Sequence, residues 1–153
     1  MEPCIRALRH GDVATVARLF ARLGERSRRA RFNGPKPRLT QTEVAQLAAV
    51  DTRRQALVAY VDGDPQPVAL GHLVRDGSSA EVAFAVADEY QRQGIGSALA
   101  AELVAAARAA GITEVTALVS TDNDAAVRVL RRVAKRLEIR FDGPELSIRA
   151  AIA

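Results

Sequence analysis

The chain has 153 residues, 48% hydrophobic and 26% charged, with 22 basic against 18 acidic side chains for a formal charge of +4. That balance describes one globular domain with material for a core, and it excludes both wholesale disorder and an apolar run of the ~18–20 residues a membrane-spanning helix needs. A single cysteine and two histidines exclude an internal disulfide and argue against a structural zinc site, so no metal is expected.

A short first strand runs from Ile5 through Ala7 towards Arg9. Asp12 then fits the N-cap of a helix in which Val13, Val16, Ala17, Phe20 and Leu23 recur at helical spacing, and Gly24 fits its end. Residues 25–39, ERSRRARFNGPKPRL, read as a long basic loop or a broken second helix, because Asn33-Gly34, Pro35 and Pro37 interrupt regular structure. Thr40 and Glu43 make a capping box for a short helix through Val44, Leu47 and Ala48. Three strands follow at 55–61, 66–75 and 80–86, separated by Asp-Gly turns and read as an antiparallel meander. The third alternates, with Val82, Phe84 and Val86 on one face and Glu81, Ala83 and Ala85 on the other. An alanine-rich helix at 94–110 and a strand at 113–120 form a parallel crossover from it. A helix at 122–132 and strands at 136–141 and 146–152 close a mixed α/β sandwich of about seven strands and four helices, in one domain.

The chemistry concentrates between Glu81 and Ser97. After the strand ends at Val86, the turn Gln91-x-x-Gly94-x-Gly96 opens a helix and leaves the amides of residues 92–97 without intrahelical partners. The positive end of the helix dipole points the same way, so the turn is a receptor for phosphate oxygens. Gly94 and Gly96 let a pyrophosphate approach the backbone, and Arg92 adds a mobile cation. The spacing is neither a dinucleotide fingerprint nor a P-loop.

The run YQRQGIGSALAAEL, after a strand ending in valine, resembles the acetyl-CoA-binding motif of the GNAT superfamily of N-acyltransferases, Q/R-x-x-G-x-G/A. The resemblance extends over nearly the whole chain. It implies that the amides of Arg92, Gln93, Gly94, Ile95, Gly96 and Ser97 hold the CoA pyrophosphate. It further implies that the backbone of Phe84, Ala85 and Val86 pairs with the pantetheine arm and that Asn123 reaches the same arm. SRRARFNGPKPRLT, ALVA and AEVAFAVADEYQRQGIG look in addition like the catalytic part of bacterial protein-lysine acetyltransferases, in which a glutamate at the strand position of Glu81 acts as general base.

Glu81 is therefore the expected base, with its pKa raised by small apolar neighbours. His72 on the preceding strand is a second possibility. Many members of the family it resembles carry a tyrosine on the helix after the asparagine that protonates the departing thiolate; the helix after Asn123 holds none, so the acid is unassigned between water and Ser120. Cys4 reads as a small buried hydrophobe and Tyr90 as packing beside the motif. The basic stretch Arg26–Arg38 reads as a solvated face, or else as the rim of the acceptor site or a helper for the 3′-phosphate of CoA.

The expected activity is transfer of an acetyl group from acetyl-CoA to a primary amine, a protein lysine first and a small amine second. A non-catalytic acetyl-CoA sensor is the rival class, and a carboxylate facing the thioester is what it would not need. Twenty of the basic residues are arginine, beside thirty alanines, a bias that GC-rich coding alone produces. With 4% aromatics the chain lacks stacking surfaces for single strands, so neither nucleic acid nor membrane is an expected partner. The first residues lack a signal-peptide layout, which predicts a cytoplasmic location; a monomer or homodimer is expected.

Overall fold

A computed structural model describes residues 2–32, 36, 38–120 and 124–153. Its seven strands are β1 (Cys4–Ala7), β2 (Arg54–Tyr60), β3 (Ala69–Asp76), β4 (Ser79–Val86), β5 (Glu114–Ser120), β6 (Arg136–Asp142) and β7 (Glu145–Ala151). They form one sheet in the order β1-β2-β3-β4-β5-β7-β6. Every neighbouring pair is antiparallel except β4 with β5. The helices are α1 (Val13–Ala21), α2 (Glu25–Phe32), α3 (Gln41–Leu47), α4 (Ile95–Ala109) and α5 (Asp124–Val133), one more than the pattern of the sequence predicts.

The additional helix is α2, and its composition explains why it is hard to read. It is charged along most of its length and buries none of its residues fully. Its support comes from far along the chain. The Asp88 carboxylate accepts the Gly24 amide at 3.1 Å and the Ser27 hydroxyl at 2.5 Å, capping the helix start,. At the other end Phe32 meets Phe20 of α1 edge-on at 5.9 Å, and Arg28 lies over the Phe20 ring at 4.4 Å,.

Local signals hold elsewhere. Asp12 caps α1 by accepting from the Thr15 amide (3.1 Å) and hydroxyl (2.7 Å), bonds that hold its carboxyl below the usual range. Thr40 and Glu43 form the capping box of α3, and Lys36 pairs with Glu43 at 2.5 Å,. The Asp142-Gly143-Pro144 link joins β6 to β7 as a hairpin.

Helices lie on both faces. α4 and α5 cover one, where Leu73, Val82, Leu103, Val115, Leu130 and Ile148 are buried together. α4 sits close over β3: a Cβ on Gly71 would come within 2.7 Å of Leu103 Cδ1. α1 and α3 cover β1–β3 on the other face through Leu8, Val16, Leu19, Val58 and Leu70. Over β5 that second face is open, and Leu118 is 50% exposed. Cys4 departs from its expected burial and is exposed, because β1 is the edge strand and has a neighbour on one side only. Among the described residues no helix is long and apolar enough to cross a membrane.

Candidate active site

The parallel pair β4–β5 is incomplete. Ser79 faces Glu114, Ala80 faces Val115 and Glu81 faces Thr116, and there the pairing stops. β4 continues to Val86 against β3 alone, while β5 continues to Ser120 against β7 alone. The strands fork, and the gap between them is a cleft of about 600 Å³. β4 lines it from Val82 to Val86, and β5 lines it through Ala117, Leu118 and Val119. Beyond the last rung neither strand has the other as its ladder partner, and an amide-bearing ligand can add there as a further strand would.

The mouth of the fork is closed by the turn into α4. Gly94 sits at φ +84° and Arg92 at φ +62°, a left-handed conformation in which an arginine is uncommon,. The first backbone bond of α4 runs from the Ala98 amide to the Gly94 carbonyl, so the amides of Ile95, Gly96 and Ser97 have no intrahelical acceptor. Gly94, Gly96, Ser97 and Arg92 line the cleft. A Cβ at Gly96 would stand 3.5 Å from Val86 Cγ2 and 3.9 Å from Val129 Cγ2, so side-chain volume there would project between β4 and α5.

The side chains of other expected residues are engaged elsewhere. Ile95 is 1% exposed and belongs to the core. Gln93 turns its amide onto the Glu89 carbonyl at 3.0 Å. Gln91 donates to the Val86 carbonyl (3.0 Å) and the Ser27 hydroxyl (2.9 Å), locking the turn to the end of β4 and to α2. Tyr90 does pack beside the motif: its hydroxyl donates to Asp64 at 2.7 Å, and Arg22 bridges Asp64 (2.8 Å) and Glu89 (2.6 Å) above its ring. Asn123 lies outside the described residues, as does the side chain of Ser120.

Glu81 stands at the apex of the fork and is exposed. The enclosure expected for it is absent, because Ala80 and Val82 point to the opposite face and are buried there. Desolvation therefore drops out of the argument for Glu81, and position remains. His72 is buried at 4% exposure, outside the large cleft. Its Nε2 is 2.8 Å from the Leu47 carbonyl, and its Nδ1 is 3.5 Å from Arg31 Nη2. Burial pulls its pKa down to about 4.

The basic stretch supplies what sequence reasoning placed least well. Arg26, Ser27, Arg29, Ala30 and Arg31 of α2 form one wall of the cleft, and Arg128 and Arg132 of α5 stand on another, with Arg132 donating to the Ser97 hydroxyl at 3.2 Å. Asp124 is the acidic residue among the described lining. A cleft so biased suits a polyanionic ligand.

Residues 21–134 match the Acetyltransferase (GNAT) family. The chain is 33% identical over 120 residues to Acetyltransferase Pat of Mycolicibacterium smegmatis, an alignment covering 67% of the chain and 36% of that protein. The chain thus spans about a third of that relative's length. Among solved structures, the GNAT domain of S. lividans PAT superposes with a TM-score of 0.86 at 25% identity, covering 97% of this chain and 90% of that one. The PaiA N-acetyltransferase of Thermoplasma acidophilum, solved with coenzyme A, shares the fold at a TM-score of 0.71 and 17% identity over 99% of both chains.

Proposed function

The chain belongs to the GNAT acetyltransferase family, and from that premise we propose that it transfers an acetyl group from acetyl-CoA to a protein lysine, with Glu81 as general base. The observation that carries the proposal is the fork. One strand separation joins an anion-binding helix start at its mouth to a carboxylate at its apex, and the five residue steps from Glu81 to Val86 span roughly 16 Å of extended backbone. In this reading the amides of residues 92–97 hold the pyrophosphate, Phe84, Ala85 and Val86 pair with the pantetheine arm, and Asn123 completes the arm's contacts.

The reaction is direct transfer within a ternary complex. The amine nitrogen bonds to the acyl carbon, the C–S bond breaks, and its electron pair leaves on sulfur as CoA thiolate. The nitrogen's proton passes to Glu81 and from there to solvent. No metal enters this scheme. The lysine assignment is supported by the resemblance of residues 27–40 and 80–96 to bacterial protein-lysine acetyltransferases. The open face beside Glu81, where Leu118 is exposed, also supports it, since a polypeptide can reach it.

The test is to incubate the purified chain with acetyl-CoA and a panel of small amines, lysine peptides and protein lysate, reading free thiol and acetylated lysine. Thiol release that depends on protein or peptide is expected. Release with small amines alone would move the acceptor to that class, and tight acetyl-CoA binding with no release would make the domain a sensor.

A further inference from the structure

The mechanism above leaves one pair unused, a buried histidine and a partly buried arginine. Arg31 of α2 lines both the cleft and a small cavity of about 20 Å³ beneath α1, and His72 lines the small cavity with it. A carbonyl oxygen only accepts, so the 2.8 Å contact with Leu47 puts the ring proton of His72 on Nε2,. Nδ1 then carries the lone pair, and the Arg31 guanidinium donates towards it at 3.5 Å. Burial keeps the ring neutral at physiological pH. His72 thus fixes one edge of the guanidinium.

The rest of that guanidinium has little to bind. Among the described residues no carboxylate lies within ion-pair distance of Arg31. Its remaining ring contact is with neighbouring Phe32 at 5.0 Å. A guanidinium offers five N–H donors, and even its partial burial without an anion is costly. The nearby formal charges are Glu81 and Arg54. Burial lowers the Arg31 pKa, and the Glu81 carboxylate opposes that effect.

The sheet register fixes the side on which this happens. Val74 faces Glu81, His72 faces Ala83 and Leu70 faces Ala85 across β3–β4, so Glu81, Ala83 and Ala85 share one face with His72. The two alanines leave room for Arg31 on that face. Val82, Phe84 and Val86 point the other way, towards α4. The cation therefore stands on the same side as Glu81, where an acceptor amine must be for that carboxylate to take its proton.

We propose that Arg31, aimed by His72, anchors a carboxylate of the acceptor, so that Glu81 and Arg31 together recognise a molecule carrying an amine and a carboxylate close to each other. Two sources offer this chemistry: the α-carboxylate of a free amino acid, and an Asp or Glu side chain flanking the target lysine of a protein. The inference rests on the acyltransfer reading for the placement of the amine, and it adds the charge that the acceptor must carry. Arg31 contacts substrate in this scheme, and His72 is a positioning residue.

The experiment measures kcat/KM with acetyl-CoA for matched acceptors: L-lysine against lysinamide, and a lysine peptide with acidic flanks against one with neutral flanks. Wild type, Arg31→Lys, Arg31→Met and His72→Phe are compared, with Tm and acetyl-CoA Kd for each. Wild type should favour the carboxylate member of at least one pair by about 10- to 100-fold, chiefly in KM, as a charge-assisted hydrogen-bonded pair provides. The pair that shows the preference identifies the source. Arg31→Met should abolish the preference and Arg31→Lys should lose most of it, because an ammonium cannot form the bidentate contact. His72→Phe should raise KM for carboxylate acceptors while leaving the amides unchanged. Acetyl-CoA affinity should hold throughout. Equal ratios in wild type and Arg31→Met would overturn the proposal. So would a preference for succinyl-CoA over acetyl-CoA that disappears in Arg31→Met, since that would put the carboxylate on the donor. If no amine supports thiol release, calorimetry of Nε-acetyl-lysine against its amide, on the CoA complex of wild type and Arg31→Met, decides the point independently of turnover. A preference lost in the variant upholds it, and none in wild type overturns it.

Discussion

The hydroxyl of Ser27 donates to the carboxylate of Asp88 at 2.5 Å, across 61 residues of sequence. Ser27 stands in the first turn of α2, and Asp88 opens the 3₁₀ turn Asp88–Tyr90 that leads into the loop before α4. With Gln91 bonded to the same hydroxyl, α2 and the turn into α4 are one mechanical unit. Asp88→Ala should therefore do two things: cost about 1 kcal/mol of stability through the lost cap, and raise KM for acetyl-CoA and for the acceptor together. Denaturation midpoints with both KM values check it. A change confined to one substrate would show that the two walls move independently.

Gly96 is the sharpest test of the pyrophosphate site. Its missing Cβ faces ordinary contacts at 3.5 and 3.9 Å, so Gly96→Val should fold and keep its Tm within a few degrees. The added methyl groups enter the cleft, and the stabilisation that acetyl-CoA gives wild type through mass action should vanish. A normal ligand-induced rise in Tm for this variant would move the pyrophosphate elsewhere.

For Glu81, replacement by glutamine keeps the shape at the apex of the fork and removes the proton acceptor. Acetyl-CoA affinity should survive while turnover falls by roughly 10² to 10⁴. Raising the pH should restore part of the rate, because the acceptor then arrives deprotonated. Rates equal to wild type from about pH 6 to 9 would take Glu81 out of the mechanism and leave water as the base.

His72 predicts a stability profile of definite sign. Its pKa falls from 6.5 in the unfolded chain to about 4 in the fold. Above pH 6.5 both states are neutral and the group contributes nothing to pH dependence. As the pH drops below that value the unfolded chain takes up a proton that the native ring refuses, and stability is lost. The loss grows to on the order of 3 kcal/mol near pH 4 and then levels off. Chemical denaturation between pH 4 and 7 should show this slope in wild type and lose it in His72→Phe.

What could be read directly were patterns confined to one element. The alternation of β4, the glycines of the α4 turn, the Asp12 cap and the Thr40–Glu43 box all lie within a few residues of their partners, so local rules suffice. What resisted reading depends on partners far apart in sequence. α2 is held by Asp88 and Phe20, and no window of its own sequence contains either. Glu81 was expected to be enclosed by the residues beside it, yet on a strand those neighbours point to the opposite face. The Arg31–His72 contact joins residues 41 apart, through a helix that the glycine and prolines after it conceal. The insertion of β7 between β5 and β6 likewise follows from register rather than from any turn signal.

Three rungs, from Ser79 to Glu81, tie the first four strands to the last three. The sheet is in effect two leaves on a short spine, and the cleft between them is a missing strand's width. A bound pantetheine would take that strand's place and stitch the leaves together along their facing edges. Occupancy should therefore register as slowed hydrogen exchange from Val82 to Val86 and from Ala117 to Val119, stiffening the sheet itself rather than closing a loop over it.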